Sequence, residues 1–174
     1  NEIFHTDLSK ETLAKIGARV GADVPFCIFG GTMLSTGIGT TLSPLKSMPP
    51  CHIVLVKPDL SVSTKKAYEK VDNFQENSEK LEKILKNLTF SLNNGTLSTI
   101  CASFYNKFEK ILKIEEILEI KSIFSKNNSI NSCMSGSGPS VFGVFLDASA
   151  ALACYEELRK KYPQVFLTKP ISHG

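Results

Sequence analysis

The chain has no tryptophan, two arginines (Arg19 and Arg159) and three scattered histidines (His5, His52 and His173) among 174 residues. A nucleic-acid surface needs clustered basic side chains and stacking aromatics, and neither is visible. The net charge is only +3, and the lysines alternate with glutamates, as in SEKLEKILK. Such a run reads as a solvated helix face with i,i+4 pairs, Glu79 with Lys83 and Glu82 with Lys86. No apolar run approaches the roughly 18 residues of a membrane-spanning helix, and no secretory signal pattern is seen. The five cysteines, Cys27, Cys51, Cys101, Cys133 and Cys154, are odd in number and contain no CxxC pair. They read as thiols of a cytoplasmic protein rather than as a disulfide framework, and the scattered histidines give no zinc ligand set.

Hydrophobic residues make up 42% of the chain and charged residues 21%, as in an ordinary globular protein. This length suits one moderate domain or two small ones and buries roughly 70% of the unfolded surface. The chain opens at Asn1, and its first residues read like the middle of a domain, so a fragment is expected.

Hydrophobic periodicity supplies the elements. DLSKETLAKIGARVG predicts a helix capped by Ser9, with Leu13, Ile16 and Val20 as its buried stripe and Gly21 as its stop. FCIFGGTMLSTGIGTTLSPL predicts two short strands, with turns near Gly30-Gly31 and Gly37–Gly39. SMPP marks a domain boundary. CHIVLVKP predicts a buried strand ended by Pro58, and SVSTKKAYEKVD a helix capped by Ser61 or Ser63. Leu81, Ile84, Leu85 and Leu88 mark an amphipathic helix. Two further helices are expected over TLSTICASFYNKFEKIL and IEEILEIKSIFSKNN. Strands around Ile130–Cys133 and Ser140–Leu146 flank a glycine- and serine-rich loop. A helix starting after Asp147 and a strand in QVFLTKP finish the pattern. Strands and helices in this order predict an α+β sandwich built on split β-α-β units.

Three stretches are able to carry chemistry. In GADVPF, Asp23 lies at a change of direction beside Val24, Pro25 and Phe26; it reads either as a partly desolvated base or as a plain turn aspartate. In LVKPDLSVSTKKAYEK, a helix start offers unpaired amides to an anion, and Thr64 and Tyr68 share one helix face. An N-cap serine and an interfacial tyrosine explain the same residues without a ligand. In MSGSGPS, the glycines let a ligand approach the backbone and the serines add hydroxyls. That loop reads either as an anion cradle or as a strand-to-strand turn. Ser137 lacks the G-x-S-x-G frame of a serine hydrolase, and no lysine follows the loop as in a Walker A motif.

Taken together and in order, GADVPFCIFGGTMLSTGIGTTLSPL, LVKPDLSVSTKKAYEKVD and SCMSGSGPSVFGVF resemble the second half of the 4-diphosphocytidyl-2-C-methyl-D-erythritol kinases. These are a family within the galactokinase, homoserine kinase, mevalonate kinase and phosphomevalonate kinase superfamily. The resemblance implies ATP-dependent phosphorylation of a substrate hydroxyl, with Mg²⁺, in the non-mevalonate route to isoprenoid precursors. It implies Asp23 as catalytic base, Ile38, Thr64 and Tyr68 on the substrate side, and Gly136, Ser137 and Gly138 beside the phosphates. It also implies residues 1–48 as the end of a ribosomal-protein-S5-like domain and 49–174 as a ferredoxin-like C-terminal domain. The family's catalytic lysine and main ATP loop lie in an N-terminal half that this sequence does not contain. That half is the expected partner, and the chain alone is expected to be inactive. NKFE stands where the family usually has Asn-Asp-Leu-Glu, which reads as a peripheral difference. The alternatives are a superfamily kinase for another small alcohol and a non-catalytic module that binds a small ligand.

Overall fold

The computed structural model describes residues 1–171, and the backbone divides into two compact units, Asn1–Met48 and Pro49–Pro170. The final histidine, His173, lies outside the described residues.

In the first unit, α1 (Lys10–Gly17) starts where expected, with the Ser9 hydroxyl accepting the Thr12 amide at 3.2 Å. Its buried face differs from the expected stripe. Ala14 and Gly17 are covered, whereas Ile16 and Val20 are 50% and 82% exposed. The reason is α2 (Val24–Phe29), which packs so closely that a Cβ on Gly17 would lie 2.6 Å from Val24 Cγ1. Only the small-residue side of α1 admits that approach. The residues of α2 were expected to be a strand. A short apolar run does not distinguish strand from helix by periodicity, and Pro25 in the first turn, where its missing N–H costs nothing, favours the helix. Strands β1 (Met33–Thr36) and β2 (Thr41–Pro44) then form an antiparallel hairpin, with Thr36 opposite Thr41. Its turn falls at Gly37–Gly39, as the glycines indicated.

The second unit begins with β3 (His52–Lys57) and α3 (Thr64–Asp72), whose N-cap is Ser63. Four helices follow: α4 (Ser78–Asn94), α5 (Leu97–Ala102), α6 (Lys107–Leu112) and α7 (Glu115–Lys126). Then come β4 (Asn131–Met134), β5 (Val141–Phe145), α8 (Ala148–Leu158) and β6 (Gln164–Thr168). The sheet order is β4-β5-β3-β6 with every neighbouring pair antiparallel. Strands β3 and β4 therefore run parallel with β5 between them, which is the split β-α-β arrangement of an α+β, ferredoxin-like sandwich. Val54, Val56, Val141 and Phe145 of the sheet pack on Ile117, Ile120 and Phe124 of α7 and on Ala151, Cys154 and Leu158 of α8. All ten are 1% exposed or less, so one continuous core fixes this unit.

Two expectations need correction. The stripe on α4 is only half-buried, with Leu85 45% exposed and Leu92 the covered residue. The single helix expected over TLSTICASFYNKFEKIL is broken into α5 and α6 at Ser103–Asn106. Asn106 begins a new helix there because its side chain caps α6, accepting the Glu109 amide at 3.1 Å. Among the described residues no helix is long and apolar enough to cross a membrane.

Candidate active site

The glycine-rich loop leaves the sheet where the β4–β5 ladder ends, at the pair Met134–Val141. It closes on itself through two backbone bonds, Ser135 N–H to Ser140 O at 2.8 Å and Gly138 N–H to Ser135 O at 3.0 Å. Gly136 and Gly138 adopt φ of +55° and +84°, the left-handed region that side chains rarely enter. Gly138 is constrained twice, because a Cβ there would lie 2.7 Å from Met134 Sδ, which fills the space beneath the loop. Among the described residues the amides of Gly136 and Ser137 have no acceptor, and Gly136 is exposed. Successive free N–H groups beside a left-handed residue form a concavity suited to an anion.

The chain brings part of α3 to this loop. Thr64, the first residue of α3, places its Oγ1 3.4 Å from Ser137 Oγ, so two residues 73 positions apart share one small polar surface. Tyr68, one turn further along, stands half-exposed with its ring edge-on to Phe108 at 5.0 Å. Thr64 and Tyr68 therefore lie on one side of α3, while Ala67 between them is buried.

The loop is also held from behind, by residues that the sequence pattern did not single out. Asn106 Nδ2 donates to Met134 O at 2.7 Å and to Gly136 O at 2.9 Å. Glu109, one turn into α6, accepts the Met134 amide at 2.6 Å and pairs with Lys121. NKFE is thus not peripheral, because its first and last residues grip the start of the loop. Its signal in the sequence was Asn followed by Glu at i+3, a capping pattern inside an otherwise helical stretch. The other end of this support is the Glu76 carboxylate, which receives the Lys110 ammonium at 2.7 Å and the Tyr105 hydroxyl at 2.6 Å. The Lys110 bond, then the Tyr105 bond, holds its pKa below the ordinary value. Burial, with the carboxylate as second cause, pushes Tyr105 up to about 12.

In the first unit, Asp23 occupies the N-cap position of α2, makes no side-chain capping bond and is exposed. Within these residues it is Pro25 that turns into the packed side of α2. Ile38 is 84% exposed at the tip of the β1–β2 turn. That turn runs close to the Asp23 segment, because a Cβ on Gly39 would lie 3.9 Å from that of Ala22. Among the described residues no three His, Cys, Asp or Glu side chains converge as a metal cage. What the loop offers is donors to an anion.

Comparison with known proteins gives this arrangement a family. Residues 93–164, spanning α5 to the start of β6, match the model described as GHMP kinases C terminal. Over 177 aligned residues the chain is 40% identical to 4-diphosphocytidyl-2-C-methyl-D-erythritol kinase of Clostridium botulinum, covering 98% of this chain and 60% of that protein. The chain carries the GHMP kinase C-terminal domain over residues 93–164. The same identity and coverage hold for the protein of that name in Clostridium acetobutylicum. The chain thus spans about 60% of the length of the curated relatives it matches. Among solved structures, a 4-(cytidine 5'-diphospho)-2C-methyl-D-erythritol kinase superposes with a TM-score of 0.74 at 23% identity, over 97% of this chain and 59% of that one. A homoserine kinase from Cytophaga hutchinsonii superposes with a TM-score of 0.77 at 18% identity, over 99% and 61%. At these identities the two structures establish the fold.

Proposed function

We propose that the complete protein transfers the γ-phosphoryl group of ATP to a hydroxyl of 4-diphosphocytidyl-2-C-methyl-D-erythritol, a step in the non-mevalonate route to isoprenoid precursors. The observation that carries this reading is the 40% identity, across 98% of the chain, to kinases named for that substrate. On this reading residues 1–48 end the N-terminal kinase domain and residues from 49 onward form the C-terminal domain. The protein works in the cytoplasm with its cysteines as thiols.

Each residue then has a role. Asp23 orients the attacking hydroxyl and accepts its proton. Ile38 supplies an apolar surface on the substrate side, and Thr64 and Tyr68 offer a hydroxyl and a ring face to the same ligand. The amides of Gly136 and Ser137, with Gly138 closing the turn, donate to phosphate oxygens. Mg²⁺, when bound to ATP, offsets negative charge on the phosphates. The reading draws the catalytic lysine and the main ATP loop from the N-terminal part of the relatives. Phosphoryl transfer rests on positioning and charge stabilisation, so the 174 residues alone should not turn over the cytidine substrate.

The test is phosphorylation of 4-diphosphocytidyl-2-C-methyl-D-erythritol by the complete gene product, with Asp23→Asn beside it. Turnover by the wild type and a loss of about 100-fold or more in the variant support the reading. A folded wild type that leaves this alcohol untouched at saturating Mg-ATP overturns the substrate assignment.

A further inference from the structure

We infer that Asn106 is a positioning residue for the glycine loop: by holding the carbonyls of Met134 and Gly136 inward, it turns the Ser137 amide outward to the phosphate side. The inference rests on the proposed kinase reading for its catalytic meaning, but the pinning itself is a matter of geometry within the second unit.

The argument starts from the amide group. Asn106 uses all of its hydrogen-bonding ends in different directions. Its Nδ2 serves two carbonyls, Met134 O at 2.7 Å and Gly136 O at 2.9 Å, and its Oδ1 accepts Glu109 N–H at 3.1 Å. Two acceptors on one end and a donor on the other fix the amide orientation without ambiguity. In a planar trans peptide the C=O and the following N–H point in opposite directions. The one cis peptide among the described residues is Gly138-Pro139, so the Gly136–Ser137 peptide is trans. Holding Gly136 O against α6 therefore aims Ser137 N–H at the opposite, open side of the loop. The hydroxyl of the same residue, Ser137 Oγ, lies 3.4 Å from Thr64 Oγ1. A glycine at φ of +55° has more backbone freedom than other residues, so the clamp narrows the directions open to the Ser137 amide within the closed turn.

Glu109 completes the clamp. It accepts the Met134 amide while Asn106 takes the Met134 carbonyl. Both polar groups of the last ladder residue thus end on the first turn of α6. No other residue type reproduces what Asn106 does at this length. Aspartate keeps the cap but replaces the two donors with a carboxylate facing two carbonyl oxygens. Serine keeps a capping oxygen and leaves the carbonyls to water.

The test uses Asn106→Asp and Asn106→Ser. In the 174-residue chain, backbone NMR reads the Gly136, Ser137 and Glu109 amides together with the melting temperature. The expected result is a folded protein in which the Glu109 amide stays protected from exchange, while the Gly136 and Ser137 resonances shift or broaden. In the complete protein, the same variants should lower kcat/KM for ATP by about 100-fold, with KM for the alcohol substrate changed by about twofold or less. Unchanged loop resonances in a folded variant overturn the pinning. Altered resonances with kcat/KM for ATP within twofold of wild type overturn the positioning role. If Asn106→Asp does not fold, Asn106→Ser decides, because it removes the donors without burying a charge. A complete wild-type protein with no kinase activity defeats the functional reading, and the NMR arm still judges the clamp.

Discussion

In the first unit the covered residues are Ala14, Gly17 and Pro25, all small, while Ile3, Phe4, Val20 and Ile38 stand 80% exposed or more. In the second, ten core side chains reach 1% exposure or less and join one sheet to two helices. A two-stranded hairpin with two short helices has too few layers to enclose a core, whereas a four-stranded sheet with long helices on one face does so. The packed core of the described residues thus lies in the second unit. The glycine-rich loop is anchored to the well-packed unit by Asn106, Glu109 and the β4–β5 ladder. Asp23 is carried on the thinly packed one.

Four measurements would break or sharpen this contrast. The largest effect should appear in thiol labelling. Cys27 in the first unit is exposed, and Cys51, Cys101, Cys133 and Cys154 in the second are buried. Under native conditions Cys27 should react at the rate of a free thiol, and the other four at least ~100-fold more slowly, because they need an opening event. Burial pushes Cys101, Cys133 and Cys154 up to about 12, which keeps them protonated and further slows them. Two or more thiols reacting together at the fast rate would show that the second unit opens as readily as the first.

Truncations come next. Phe124→Ala should cost about 3–5 kcal/mol in denaturant unfolding, from lost transfer energy plus a cavity, whereas Val20→Ala should stay within about 0.5 kcal/mol. Equal costs would remove the distinction. Gly→Ala substitutions give a smaller version of the same test. A Cβ on Gly143 would lie 2.5 Å from Phe124 Cδ1, in the middle of the packed sheet face, so Gly143→Ala should cost about 1–3 kcal/mol. At Gly17 a similar approach to Val24 is offset by the roughly 1 kcal/mol that alanine contributes to a helix, leaving Gly17→Ala within about 1 kcal/mol of neutral.

The smallest expected effect is in acid. Glu76 has its pKa lowered, chiefly by the bond from Lys110 and then by that from Tyr105. A lowered carboxylate contributes stability that is complete above its ordinary value of 4.5 and is lost as pH falls through the lowered value. Unfolding followed from pH 6 downward should therefore weaken below about 4.5, and Glu76→Gln should flatten that limb. An identical acid limb in wild type and variant would mean the carboxylate does not support α6.

Much of the second unit was legible in the sequence because its signals were redundant. CHIVLVKP reads as a buried strand closed by Pro58, IEEILEIKSIFSKNN reads as one helix, Ser63 is one of the two caps expected for α3, and Asp147 caps α8 as expected. The first unit was misread where a single signal had to decide. FCIF carries no period that separates strand from helix, and the covered face of α1 was set by the closeness of α2, which local hydrophobicity does not report. In the candidate site, Thr64, Tyr68 and the glycine loop were recognisable as motifs. Asn106 and Glu109 were passed over because their importance lies in contacts 28, 30 and 25 positions away.

By itself the sequence determined the element types with strong periodicity, the turn at Gly37–Gly39, the glycine-rich loop between two strands and the family likeness of its three motifs. These depend on local sterics, on spacing and on residue identity, all of which are written along the chain. The tertiary structure alone decided that Thr64 and Ser137 meet, that α5 and α6 separate at Asn106, and which way the Ser137 amide faces. Those outcomes follow from which distant carbonyls and side chains come within hydrogen-bonding reach, and reach is a property of the packed fold.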